Sequence, residues 1–153
     1  MGTIILEILA VLSAGLMTGN ELCVSVFHAQ IRTLPEDAQF EVGQKSARVF
    51  GKFMPFWYAA TLLLTAAVAY NLRGTGTPAV LADVSAVLWL LSILGTVTLL
   101  VPINNRIAGW TWDTRPPDWK AARQLWDTRH FARVLLLFAA LAGLVSACLL
   151  GRT

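Results

Sequence analysis

Apolar residues fall into four long runs separated by short polar connections. The runs cover residues 3–28, 55–72, 79–106 and 118–150. Each holds an apolar stretch close to the ~20 residues that a helix needs to cross bilayer hydrocarbon. Pro55 suits the first turn of a helix, so the second span is expected to start there. The stretch Arg73-Gly74-Thr75-Gly76-Thr77-Pro78 reads as a turn. The first run lacks a basic leader and a cleavage site, and Asn20 and Glu21 interrupt it. It therefore reads as a retained helix and not as a signal peptide. Between spans one and two, Phe40, Ala47 and Phe50 would share a helical face, near Lys45, Arg48 and Lys52. A short interfacial helix is expected there. The pattern predicts one all-α domain over residues 1–153, an integral membrane four-helix bundle.

Composition agrees. Of 153 residues, 56% are hydrophobic and 14% charged, and mean hydropathy is +0.62. Soluble domains run near 25% charged, and so few charges would not solvate so small a globule. Disorder, which needs low hydrophobicity and high charge, is excluded by the same numbers. The net charge of +3 does not point to nucleic acid, because the basic residues flank apolar spans. Cys23 and Cys148 lie in apolar runs without CxxC spacing, which argues against structural zinc or a disulfide framework.

Basic residues orient the chain. Arg32, Lys45, Arg48, Lys52, Arg106, Arg115, Lys120, Arg123, Arg129 and Arg133 are ten of the twelve, and all sit after spans one and three or in the first turns of span four. Only Arg73 and Arg152 fall on the other side. The positive-inside rule puts those connections in the cytoplasm and both termini outside the cell membrane.

Ionisable groups at membrane depth are costly and mark protein interiors or sites. Glu7, Glu21 and His28 are spaced 14 and 7 residues apart, which keeps them within about 60° of one helix face. Thr18 and Ser25 fall near that stripe. Glu7 reads as an interfacial residue; Glu21 reads either as half of a buried ion pair or as a functional carboxylate. Gly15 and Gly19 form a G-x-x-x-G on another face, which predicts close helix packing. Arg123, Trp126, His130, Arg133 and Leu137 follow three- and four-residue steps along span four, covering about 80° of its surface. Trp110, Trp112 and Trp119 read as an aromatic belt at the interface. Pro102 cannot donate to the carbonyl of Thr98, so a kink is expected before Asn104 and Asn105. An antiparallel arrangement brings His28, Asn104 and His130 to one depth, with Arg48 and Lys52 approaching. Histidine's ordinary titration range suits a general base near neutral pH.

Several of these elements together, Gly15-Leu16-Met17-Thr18-Gly19, Val101-Pro102-Ile103-Asn104, then Asp118-Trp119, Arg123, Trp126, His130 and Arg133, resemble the DUF1772 family, which includes anthrone oxygenases of aromatic polyketide biosynthesis. The resemblance spans nearly the whole chain. It implies a cofactor-independent oxygenase with molecular oxygen as co-substrate, acting on an apolar aromatic or polyketide molecule. A base removes an acidic C–H proton, the carbanion reduces oxygen, and a hydroperoxide collapses to a ketone or quinone. On that reading His130 or His28 is the base, Asn104, Arg133 and Arg123 meet the enolate charge, and Trp126 holds the rings. Glu21, Asn105 and Arg48 join as candidates from the residue pattern alone. Other readings stay open: a membrane-bound polyketide cyclase using the same acid–base groups, a haem or copper protein ligated by His28 and His130, or a non-enzymatic transporter subunit. Assembly into a homo-oligomer is also open.

Overall fold

The computed structural model describes residues 2–152. It is helical, with α1 at Gly2–Ile31, α2 at Glu36–Asn71, α3 at Thr77–Gly95, a π-helical turn at Thr96–Leu100, α4 at Val101–Ala108 and α5 at Trp119–Leu150. Four stretches are long and apolar enough to cross a membrane: α1, α2, α5, and α3 to α4 taken together as Thr77–Ala108. Among the described residues no strand forms. Gly74 and Gly76, both at φ near +80° in the α2–α3 turn, adopt a left-handed backbone open to glycine at little steric cost. Pro78 then starts α3, where a missing N–H is harmless.

Helix α1 packs on α2, α2 on α3, α3 on α5 and α5 back on α1, closing a four-helix ring. Met17, Trp89, Leu137 and Leu144 fill its axis. The outside is apolar too: Leu16, Phe56, Leu63 and Leu149 are each at least 64% exposed. An exterior of this kind needs lipid as its solvent. The polar side chains go inward instead, with Glu7, Thr18, Glu21, His28, Thr61, Thr65, Ser85, Ser92 and His130 all buried. The stripes on α1 and α5 thus face the bundle interior, as their spacing predicts.

Four local expectations are revised. Span two does not begin at Pro55, which lies inside a continuous α2. The helix accepts it although Pro55 cannot donate to the carbonyl of Gly51, because neighbouring helices support a membrane span through such a gap. It follows that no separate interfacial helix connects spans one and two. At about 1.5 Å per residue, the 36 residues of α2 reach about 54 Å, far beyond a ~30 Å hydrocarbon core. The residues expected in the interfacial helix are therefore the polar extension of span two. Third, the irregularity at Pro102 is a π turn and not a simple kink, with the Val101 N–H reaching back five residues to Thr96.

The fourth revision concerns close packing. Nothing lies within 4 Å of a Cβ built on Gly15 or Gly19, so these glycines face open space in the single chain. The tight contact is between α3 and α5. A Cβ on Gly143 would stand 3.4 Å from the Leu81 carbonyl oxygen and 3.6 Å from the Ser85 Cβ. Ser85 Oγ donates to the Ala140 carbonyl at 2.7 Å, and Ala82, Ala140 and Ala147 are fully buried around it. Small residues here let two backbones approach, the arrangement expected where lipid offers no hydrophobic drive. Gly143→Leu is expected to cost about 1–3 kcal/mol by overpacking, read as a lower melting temperature in detergent. Gly19→Leu should leave the melt of the monomer near wild type.

Candidate active site

The polar groups of α1, α2 and α5 meet at one level of the bundle and divide into two adjoining clusters. The inner cluster centres on Glu21, which is 2% exposed. Its Oε1 accepts a 2.7 Å hydrogen bond from the Tyr58 hydroxyl. Its Oε2 accepts one of 2.6 Å from Arg133 Nη2. The same guanidinium nitrogen lies 2.8 Å from His130 Nδ1, and Arg133 Nη1 donates to Thr96 Oγ1 at 3.0 Å. His130 Nε2 is 3.1 Å from the Glu21 backbone carbonyl, which can only accept. The imidazole therefore carries its proton on Nε2 and offers Nδ1 to Arg133. Both ring nitrogens are engaged. Trp126 stacks flat on this ring, with centroids 4.6 Å apart and planes at 11°.

The outer cluster lies one to two turns closer to the polar end. Arg123 Nη2 stands 2.8 Å from the ring nitrogens of His28, and His28 Nδ1 lies 3.4 Å from Asp127 Oδ1. Arg32 and Arg123 approach the same carboxylate at 3.8 Å. Trp126 touches both clusters, with the His28 ring centroid 5.0 Å from its own. The ring centroids of His28 and His130 are 6.4 Å apart. Among the described residues, no three His, Cys, Asp or Glu side chains are grouped to hold a metal ion.

A cavity of about 200 Å³ opens beside the inner cluster. Its polar wall comprises Glu21, Tyr58, Thr96, Asn104, Trp126 and Arg133; Met54, Ile93, Leu100 and Val101 are among its apolar lining. Trp126 Nε1 and Arg133 Nε are buried donors without a protein partner. Such orphaned donors are costly unless something accepts from them. The carbonyl of Gly51, a lining residue, loses its usual helical donor at Pro55. The combination of apolar walls and converging polar groups is that of a small-molecule site.

Of the residues singled out from sequence, Glu21, Asn104, Trp126 and Arg133 line this cavity. His130 supports it from behind. His28 and Arg123 belong to the outer cluster, while Asn105 and Arg48 are exposed and outside the lining. Tyr58, Thr96 and Asp127 were not anticipated. A tyrosine in an apolar run needs a partner for its hydroxyl, and that need was the available clue to Tyr58. Glu7, near the end of α1, is buried, its carboxylate taking two hydrogen bonds from the half-exposed Arg152 at 2.7 and 3.2 Å. The tryptophans of the expected aromatic belt pack against α2. Trp119 is buried, and both it and Trp112 set edges against Phe40, at 5.7 Å. Together with Gln44, which donates to the Trp110 carbonyl, they tie α2 to the α4–α5 connection.

A family model described as anthrone oxygenase matches residues 47–143. The chain belongs to the anthrone oxygenase family. No curated protein and no solved structure matches it. The matched segment of this anthrone oxygenase family member carries Tyr58, Thr96, Asn104, Trp126, His130 and Arg133, and begins after Glu21 and His28. Helix α1 thus supplies the carboxylate to a frame built by the matched region.

Removing one partner of a buried ion pair leaves an uncompensated charge, at about 3–5 kcal/mol. Arg133→Met should therefore sharply lower the melting temperature in detergent. Adding Glu21→Gln to it should recover much of the loss, because the residual charge disappears. Additive losses would show that the two side chains do not act as a pair.

Proposed function

We propose that this family member is a membrane-embedded tailoring enzyme that oxidises an aromatic or polyketide substrate through a base-generated carbanion, with molecular oxygen as co-substrate. The observation that carries the reading is the chamber wall itself. It sets the Glu21 carboxylate beside the Arg133 guanidinium, the Trp126 indole and the Asn104 amide. Both nitrogens of His130 are committed to hydrogen bonds, so the base assigned here is Glu21 and His130 is a positioning residue that holds Arg133.

The steps balance. Glu21 takes a proton from an activated methylene of the substrate, directly or through the Tyr58 hydroxyl bonded to it. The electron pair delocalises onto a ring oxygen, whose charge Arg133, Trp126 and Asn104 meet in a low-dielectric site. The carbanion passes electrons to oxygen and forms a C–O bond, giving a peroxide that recovers the proton from Glu21. Loss of the second C–H proton with O–O cleavage leaves a carbonyl and one water. A methylene and one dioxygen become a carbonyl and water, with no outside reductant.

Glu21→Gln should lower turnover of an anthrone-type substrate by about 10²- to 10⁴-fold, the usual worth of a general base. Tyr58→Phe should lose less, and His130→Ala should change turnover together with the melting temperature. Oxygen uptake on purified, vesicle-reconstituted protein measures all three. Wild-type turnover in Glu21→Gln, or consumption of substrate without oxygen uptake, would overturn the reading; the latter outcome is what a cyclase gives.

The orientation belongs to the same proposal: both termini outside, the basic ends of the spans in the cytoplasm. Its support is the ten-to-two distribution of Lys and Arg. Single cysteines near residues 3 and 152 should react with an impermeant thiol reagent added outside intact cells. Reaction only after permeabilisation would reverse the orientation.

A further inference from the structure

The chamber has an edge that the chemistry above does not use. Four of its lining residues are exposed, namely Gly51, Pro55 and Ala59 on α2 and Val97 in the π turn. The α2 residues recur every four positions, so they form one row on that helix. Eight residues at ~1.5 Å make the row about 12 Å long. Opposite it stands the segment where the α-helical ladder is interrupted by the π turn and by Pro102. The chamber therefore opens sideways, through a slot between α2 and the α3–α4 span.

The slot runs inward from Gly51, level with Lys52, and its inner end at Ala59 and Val97 lies deeper than the basic residues. Ala59 is seven residues from Lys52, and Val97 nine from Arg106, or about 10 and 14 Å along their helices. Two helices independently set the inner end of the mouth at a similar depth below the basic residues. The flanking side chains are apolar and turned outward: Phe56 is 78% exposed, Leu63 70%, Val97 58% and Leu94 51%. The rim itself is small or compact, with glycine, proline, alanine and valine where neighbouring positions carry phenylalanine and leucine. At the polar end the way in is obstructed. Phe40 with Trp112 and Trp119, and Gln44 on the Trp110 carbonyl, close α2 against the α4–α5 connection.

We propose that the chamber is loaded from the bilayer through this slot, so that its ligands are flat, uncharged, lipid-soluble molecules and not water-borne anions. The inference rests on the chamber being the substrate site, but its geometry is testable without turnover. An apolar substrate dissolved in lipid reaches the Glu21 carboxylate without crossing the basic surface, and the product carbonyl returns the same way. Dioxygen, which is also apolar and lipid-soluble, shares the route.

The test uses full-length protein in phosphatidylcholine vesicles with Cys23→Ser and Cys148→Ala, and a reporter Met54→Cys on the chamber wall. Labelling by a lipid-soluble pyrene maleimide should outpace labelling by a membrane-impermeant sulfonated maleimide. Ala59→Trp or Val97→Trp should slow the pyrene reagent about tenfold or more, a rise of roughly 1.4 kcal/mol in the entry barrier. Phe56→Trp, outward-facing on the same helix, should leave it unchanged. Val97→Phe replaces any variant that fails to reconstitute. Faster labelling by the sulfonated reagent, or pyrene labelling indifferent to the rim tryptophans, would overturn the lateral route. If the slot behaves as described but Glu21→Gln turns substrate over normally, the lateral route stands and only the catalytic assignment falls.

Discussion

One ion pair in the middle of the bundle, Glu21 with Arg133, organises what surrounds it. Neither charge is stable at membrane depth alone, and each satisfies the other at 2.6 Å. The remaining hydrogen-bonding capacity of the pair then recruits one neighbour from each adjacent helix. Tyr58 comes from α2, Thr96 from the π turn and His130 from α5 itself. A carboxylate on α1 and a guanidinium on α5 thereby fix the rotation of every helix around them. Helix faces that would be interchangeable in lipid, being uniformly apolar, acquire a single register.

The pair also accounts for the chamber beside it. A guanidinium has five donors, and Glu21, His130 and Thr96 leave Nε unused. Trp126, held flat on His130, likewise keeps its indole N–H free. Both side chains stand in the chamber wall, with these two nitrogens themselves covered. Pro55 lines the same space and Pro102 follows Val101 on its wall, while the π turn between α3 and α4 sets Thr96 on the polar wall and Val97 at the rim. Local departures from ideal helix geometry cluster where the bundle is hollow and not where it is packed. That distribution is consistent with a functional origin for the irregularities.

The second charged cluster, His28 with Arg123 and Asp127, lies outside the chamber lining. It joins the ends of α1 and α5 near the polar connections, as Glu7 and Arg152 join the opposite ends. Charged groups thus pair α1 with α5 at three depths along one interface. Small-residue packing does the corresponding work between α3 and α5, through Ser85 and Gly143. Two different physical devices hold the two faces of α5.

The amino-acid sequence by itself determined the class and much of the wiring. Apolar runs of bilayer length predict helices long and apolar enough to cross a membrane, and the 3.6-residue period tells which polar residues share a face. For that reason the stripes through Glu21 and His28 and through Trp126, His130 and Arg133 were legible, as was Asn104 beside a proline. Tertiary structure decided what the periodicity leaves undetermined, namely which stripes meet. Glu21 pairs with Arg133 and not with His28, although His28 lies on its own helix and face, because partnership depends on the depth and rotation of a neighbouring helix. Tyr58 stayed hidden because a single hydroxyl in an apolar run breaks no pattern. Gly15 and Gly19 satisfied a packing motif without a partner in the single chain, whereas Gly143, spaced four from Ala139 and Ala147, found one, since close approach is a property of two helices. Pro55 matched a start position in one dimension, yet α2 runs through it because the surrounding bundle supports a ladder that an isolated helix would break.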